Sequence, residues 1–213
     1  MKGFHGFPGA IVISSAIALV GTVPAWSAPP PAADADWPCQ QRLVPRLAAA
    51  TYWSGPSPGD AGDWHADPEV AELVRSIAPR RVSTEDGLTA IATFVRGLPP
   101  ADRQRRIALA FRGLLDESDH ERAGLIEELK EIGRRQRELS ELVARLTAQV
   151  NAIPPDVGAE AAAKRTELDE RRDFTARNFE EFQRTIRYAC ETPVALDARL
   201  GAWARALQQA APH

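Results

Sequence analysis

The chain has 213 residues, enough for one domain or for one domain with an extension. Its 26 basic and 29 acidic side chains leave a net charge of −3, which argues against a dedicated nucleic-acid binder, because such proteins carry a basic excess or a basic stripe. Lysine is confined to Lys2, Lys130 and Lys164, so arginine supplies nearly all of the positive charge.

Lys2 precedes an apolar run from Ile11 to Val23, and Pro24 with the small residues Ala25 and Ser27 follows it. Residues 1–27 are read as a secretory signal peptide. An uncleaved anchor is the alternative, since the run is only a little short of a membrane span. No second apolar stretch approaches the ~18 residues a membrane helix needs. With alanine and arginine dominating the composition, the reading is bacterial export, hence the periplasm. Residues 28–36 are a proline and alanine linker, expected to be disordered.

The head is assigned to residues 37–121. Trp37-Pro38-Cys39 is expected to open a first helix, with Leu43, Leu47 and Ala50 inward and a kink or split at Pro45. Breaker residues fill Ser54 to Asp63, and Trp53 and Trp64 flank that loop, so it should fold back over the core. Asp67-Pro68 starts a helix with Val70, Leu73, Val74 and Ile77 inward. Ser83 with Asp86 three positions on starts another, ended by Pro99-Pro100. Asp102 to Asp116 forms a further amphipathic helix, which either runs into the next one or breaks at Asp116 to His120.

The arm is assigned to residues 122–190. Leu125, Leu129, Ile132, Gln136, Leu139, Val143, Leu146, Val150 and Ile153 alternate spacings of 4 and 3, an unbroken heptad seam with one polar position. Pro154-Pro155 stops it. Leu168, Arg172, Thr175, Phe179, Phe182, Ile186 and Ala189 repeat the alternation. Folding back tightly at the prolines would place Gln136 near Arg172 or Thr175. Residues 191–213, after Thr192-Pro193, form a short C-terminal helix that packs on the head. The expected fold is all-α: a small multi-helix head with a long antiparallel coiled-coil hairpin, an arm closed by a proline turn.

Cys39 and Cys190 are the two cysteines, too far apart for a CxxC redox motif, and in an oxidising compartment they read as one disulfide at the base of the arm. Asp116, Asp119 and His120 lie in the densest run of possible metal ligands, but the run lacks the calcium-loop pattern and a solvated hinge explains it as well. His65 beside Asp63 has no nucleophile in a recognisable context. Trp53, Trp64 and Phe174 are candidate interface residues, Phe174 because it is out of phase with the seam. No cofactor is implied. The expected function is a non-enzymatic periplasmic interaction, scaffold or chaperone-like protein, a monomer or arm-mediated dimer, whose arm docks a protein partner. The alternative is a periplasmic ligand- or metal-binding protein using the aromatic head or the Asp116–Glu121 cluster.

Overall fold

A computed structural model describes residues 34–155 and 158–211. The signal peptide expected over residues 1–27 and most of the expected linker lie outside the described residues. Among those described, the secondary structure is helical throughout, with no strand. The order is α1 (Ala49–Tyr52), α2 (Pro68–Ile77), α3 (Thr84–Gly97), α4 (Arg103–Asn151) and α5 (Ala159–Ala210), with two short 3-10 turns at Pro58–Ala61 and Trp64–Ala66.

Two helices dominate. α4 has 49 residues and α5 has 52, so each is ~75 Å long at 1.5 Å per residue. They pack as an antiparallel hairpin. Asp116 to His120 is helical, so the question left open by the sequence is resolved as a continuous helix. Ser118 and Arg122 occupy the inward positions there and are buried, which keeps the α4 seam in step from Phe111 to Val150.

α5 corrects a second boundary. The C-terminal segment is not a separate helix, because Pro193 lies inside α5. An interior proline costs about 3 kcal/mol, since it removes one backbone donor and crowds the preceding turn. The pattern shows what offsets that cost. Ala189, Pro193, Leu196, Leu200, Trp203 and Leu207 continue the 4-and-3 alternation of the arm without a slip, and from Pro193 onward all are buried. Arg122 donates from Nη1 to the Pro193 carbonyl at 3.4 Å. Head and arm are therefore two ends of one hairpin, and neither 121/122 nor 190/191 is a structural boundary.

The register differs from the tight-turn expectation as well. Leu168 packs with Leu146 and Val150, while Ile186 and Cys190 pack with Leu129. Gln136 consequently shares a groove with Gln183 and Ile186 rather than meeting Arg172 or Thr175. The two helices are offset by roughly two turns from what folding at Pro154-Pro155 alone would set.

The main core gathers at one end of the hairpin. Asp67 caps α2 by accepting from the Val70 N–H at 3.2 Å, and Ser83 caps α3 by accepting from the Asp86 N–H at 3.0 Å. Trp203 of α5 is fully buried, and its Nε1 donates to the Thr84 carbonyl at 3.1 Å. Gly87 makes room for it, because a Cβ there would stand 2.4 Å from that nitrogen. Trp53 stacks on Phe111 at 4.6 Å, and Trp64 lies against Val74 over Gly113. Both tryptophans, expected as possible interface residues, are core residues instead.

The first expected helix does not form. Residues 37–48 are irregular, and only the single turn α1 follows. Pro38 and Pro45 remove two donors and disfavour helical geometry before them. The long helices also take up strap groups: Asp119 accepts from the Leu47 N–H at 2.8 Å and Arg122 donates to the Val44 carbonyl at 3.1 Å. This segment is a strap laid over the hairpin. It begins earlier than expected, because Asp34 and Asp36, assigned to the linker, are pinned to α4.

Candidate functional site

The strap crosses α4 at Gly133. A Cβ at that position would lie 2.0 Å from the Asp36 carbonyl oxygen, so only glycine permits the crossing. Basic residues on either side of Gly133 hold the strap down. Asp34 pairs with Lys130 at 3.0 Å and Asp36 with Arg134 at 3.0 Å, while Arg137 reaches both Asp36 and the Ala35 carbonyl. Hydrogen bonding to Lys130 holds the Asp34 carboxyl below its ordinary range, and Arg134 with Arg137 does the same for Asp36.

Three residues further on, Cys39 is joined to Cys190, with 5.6 Å between their Cα atoms. The disulfide is present, but not at the base of the arm. It sits midway along the hairpin, in a small apolar cluster with Leu129, Ile132, Ile186 and Trp37. Trp37 Nε1 donates to the Gln41 carbonyl at 2.7 Å, and Gln41 Nε2 donates to the Cys190 carbonyl at 2.6 Å. Beside it, strap and hairpin enclose an open groove of about 810 Å³ lined by Gln40, Gln136, Gln183, Arg187 and Val194.

Between this cluster and the main core lies a buried polar belt. Arg122 is 4% exposed and ties three segments together: the Val44 carbonyl, the Pro193 carbonyl and the Asp197 carboxylate at 3.0 Å. Burial pushes the Asp197 carboxyl up, and Arg122 draws it back down. Arg199 donates to the carbonyls of Ala78, Pro79 and Val82 and lies over the Trp203 ring at 4.7 Å. Desolvation lowers the Arg199 pKa, and Glu121 opposes the shift. Arg122 faces Asp197 and Arg199 faces Glu121, with only the buried Arg199 Nε left without a hydrogen-bond partner, so the belt ties the strap, α4 and α5 together and seats the C-terminal end of α2.

The expected metal candidates do not converge. Asp116 pairs with Arg112 one turn back, Asp119 caps the strap and pairs with Arg46, and His120 points to solvent. Among the described residues no three His, Cys, Asp or Glu side chains gather as a metal site would require. His65 is exposed, stacks on Trp64 and meets Asp63 at 2.9 Å, which makes it part of a helix cap.

Phe174 is where the sequence put it, outside the seam, and is 60% exposed. Tyr188, at 72%, joins it on the outer face of α5, while Val194, at 52%, opens into the groove beside the disulfide. Tyr188 was not expected from the sequence, yet the signal for it was there. Phe174, Arg177, Glu181, Arg184, Tyr188 and Glu191 repeat the 3-and-4 spacing of a seam on the opposite face of the helix. All six are exposed, and among the described residues no ion pair uses Arg177, Glu181, Arg184 or Glu191. Asp36 and Gly133 were also missed. A lone glycine inside an otherwise unbroken heptad run was the available clue.

The fold and surface define an all-α protein built on one disulfide-strapped helical hairpin. No family model matches the chain, and no curated protein and no solved structure shows significant similarity to it. No described helix is long and apolar enough to cross a membrane.

Proposed function

We propose that this protein is a non-enzymatic, exported interaction or scaffold protein that offers the α4–α5 hairpin as an arm to a protein partner. The observation that carries this reading is the exposure of Phe174 and Tyr188 on the outer face of α5, two large aromatic side chains set among charges that form no ion pair among the described residues. Aromatic residues and arginine are the residue types most enriched at protein interfaces. A disulfide suits an oxidising compartment, in line with the periplasmic location read from the N-terminus.

Photo-crosslinking tests the reading. A photoreactive residue at 174 or 188 in the full chain, expressed in its host, should give discrete protein adducts. The same probe at Glu72, an exposed position on α2, should give none. Absence of adducts at 174 and 188 would reject the arm as a docking surface. A second reading, ligand binding, finds support in the glutamine-lined groove beside the disulfide. A small polar ligand there would raise the melting temperature, and above its Kd the rise would continue with the logarithm of ligand concentration.

A further inference from the structure

The outer stripe of α5 is self-complementary, and this singles out one occupant. We infer that a second copy of this chain docks on it, α5 against α5 in antiparallel orientation. The inference rests on the reading of α5 as a contact surface and names what fills it. Along the stripe the order is Glu170, Phe174, Arg177, Glu181, Arg184, Tyr188. Setting Arg177 against Glu181 of the second copy fixes every other layer by two-fold symmetry. Glu181 then meets Arg177, Phe174 meets Arg184, and Tyr188 meets Glu170, each in both directions.

These pairings are chemically matched. Arginine and glutamate neutralise each other at the two central layers. The Arg184 guanidinium can lie over the Phe174 ring, and the Tyr188 hydroxyl can donate to the Glu170 carboxylate. Arg187 comes beside Asp173 at the rim. Like charges meet at two places: Glu180 faces its own symmetry mate at the rim, where solvent screens it, and at the layer beyond Tyr188 Glu191 faces Glu167, whose charge Lys164 already offsets at 2.8 Å. A parallel arrangement has no such match, because each arginine and each glutamate then faces its own copy. None of Glu170, Arg177, Glu181 or Arg184 is engaged in an ion pair among the described residues, so pairing breaks no existing bridge. The stripe from Glu170 to Tyr188 is about 27 Å long, which makes a small interface and hence a concentration-dependent one.

Sedimentation of the purified full chain over a concentration series, at low and high salt, tests this. The expected result is a reversible monomer–dimer equilibrium, weakened by salt. Glu181→Arg and Arg177→Glu should each weaken it at least tenfold, since each places like charges at both central layers. Mixing the two variants should restore the dimer, because the arginine introduced in one chain then faces the glutamate introduced in the other. Circular dichroism melting shows that the variants are folded. A wild-type chain monomeric throughout, a dimer indifferent to both variants, or a mixture no tighter than its components would overturn the proposal. A monomeric chain whose 188 probe still captures a different protein would overturn the second copy and leave the interaction reading standing. A monomer without any adduct would remove both.

Discussion

The two ends of the hairpin obey the same heptad rule, but burial is continuous at one and alternates with half-exposed positions at the other. At the head end, Phe111, Leu114, Leu200, Trp203 and Leu207 are fully enclosed. Toward the turn, Ile132, Gln136, Leu139, Val143, Phe179 and Phe182 sit at the same kind of position and stay half-exposed, while Leu129, Leu146, Val150 and Leu168 form the buried centres of the two-helix seam. The difference is what lies across the seam. The head end is closed by α2, α3 and the tryptophan loop, whereas the distal half has two helices and no third layer. A two-helix seam buries its centre and leaves its flanks wet. Periodicity therefore reports which residues face the partner helix, and the neighbours decide how dry they become.

Substitutions should fall off in effect along this gradient. Trp203→Ala empties the most enclosed site and leaves the Thr84 carbonyl without its donor, so it should destabilise the protein by roughly 3–5 kcal/mol in denaturant titration. Paired removal of the disulfide, Cys39→Ala with Cys190→Ala, acts in the middle. It should cost about 3 kcal/mol, less than the chain-entropy limit for so long a loop, because the strap keeps its ion pairs. Gly133→Ala should cost roughly 1–3 kcal/mol, with faster amide exchange confined to residues 34–41 and their contacts on α4.

The smallest effect is acid loosening of the strap. The carboxyls of Asp34 and Asp36 are held low, so their stabilisation is fully present above the ordinary aspartate pKa of about 3.9 and is lost as pH falls through their depressed folded values. Trp37 fluorescence should stay flat through neutral and mildly acid pH and change only below that range. A transition near neutrality would mean that another group governs the strap. Both carboxylates are solvent-accessible, so salt should weaken the same contacts.

The hairpin was legible because apolar spacing encodes it directly, from Leu125 to Ile153 and again from Leu168 to Ala189. The misreadings share one cause, which is tertiary contact overriding a local signal. Pro193 reads as a stop, yet its fixed φ is helical and α4 packs against it, so the helix continues. Pro45 reads as a kink within a helix, yet Asp119 and Arg122 bind the neighbouring backbone and no helix forms at all. Asp116 to His120 reads as a weak point because the in-phase positions, Ser118 and Arg122, are polar, yet both are buried and the helix runs through them. The register could not be had from Pro154-Pro155, because the path between Asn151 and Ala159 is longer than a tight turn. The disulfide was legible as a pair but not in position, since that depended on the strap.

Hydroxyl-radical footprinting tests the central claim, that the outer face of α5 is a contact surface, most directly. The full chain is oxidised once as dilute purified protein and once inside the cells that express it. Phe174 and Tyr188 should react readily in the dilute sample and be protected several-fold in the cell, while buried Trp203 stays unreactive in both. Equal reactivity of Phe174 and Tyr188 in the two samples would show that nothing covers this face and would contradict the account.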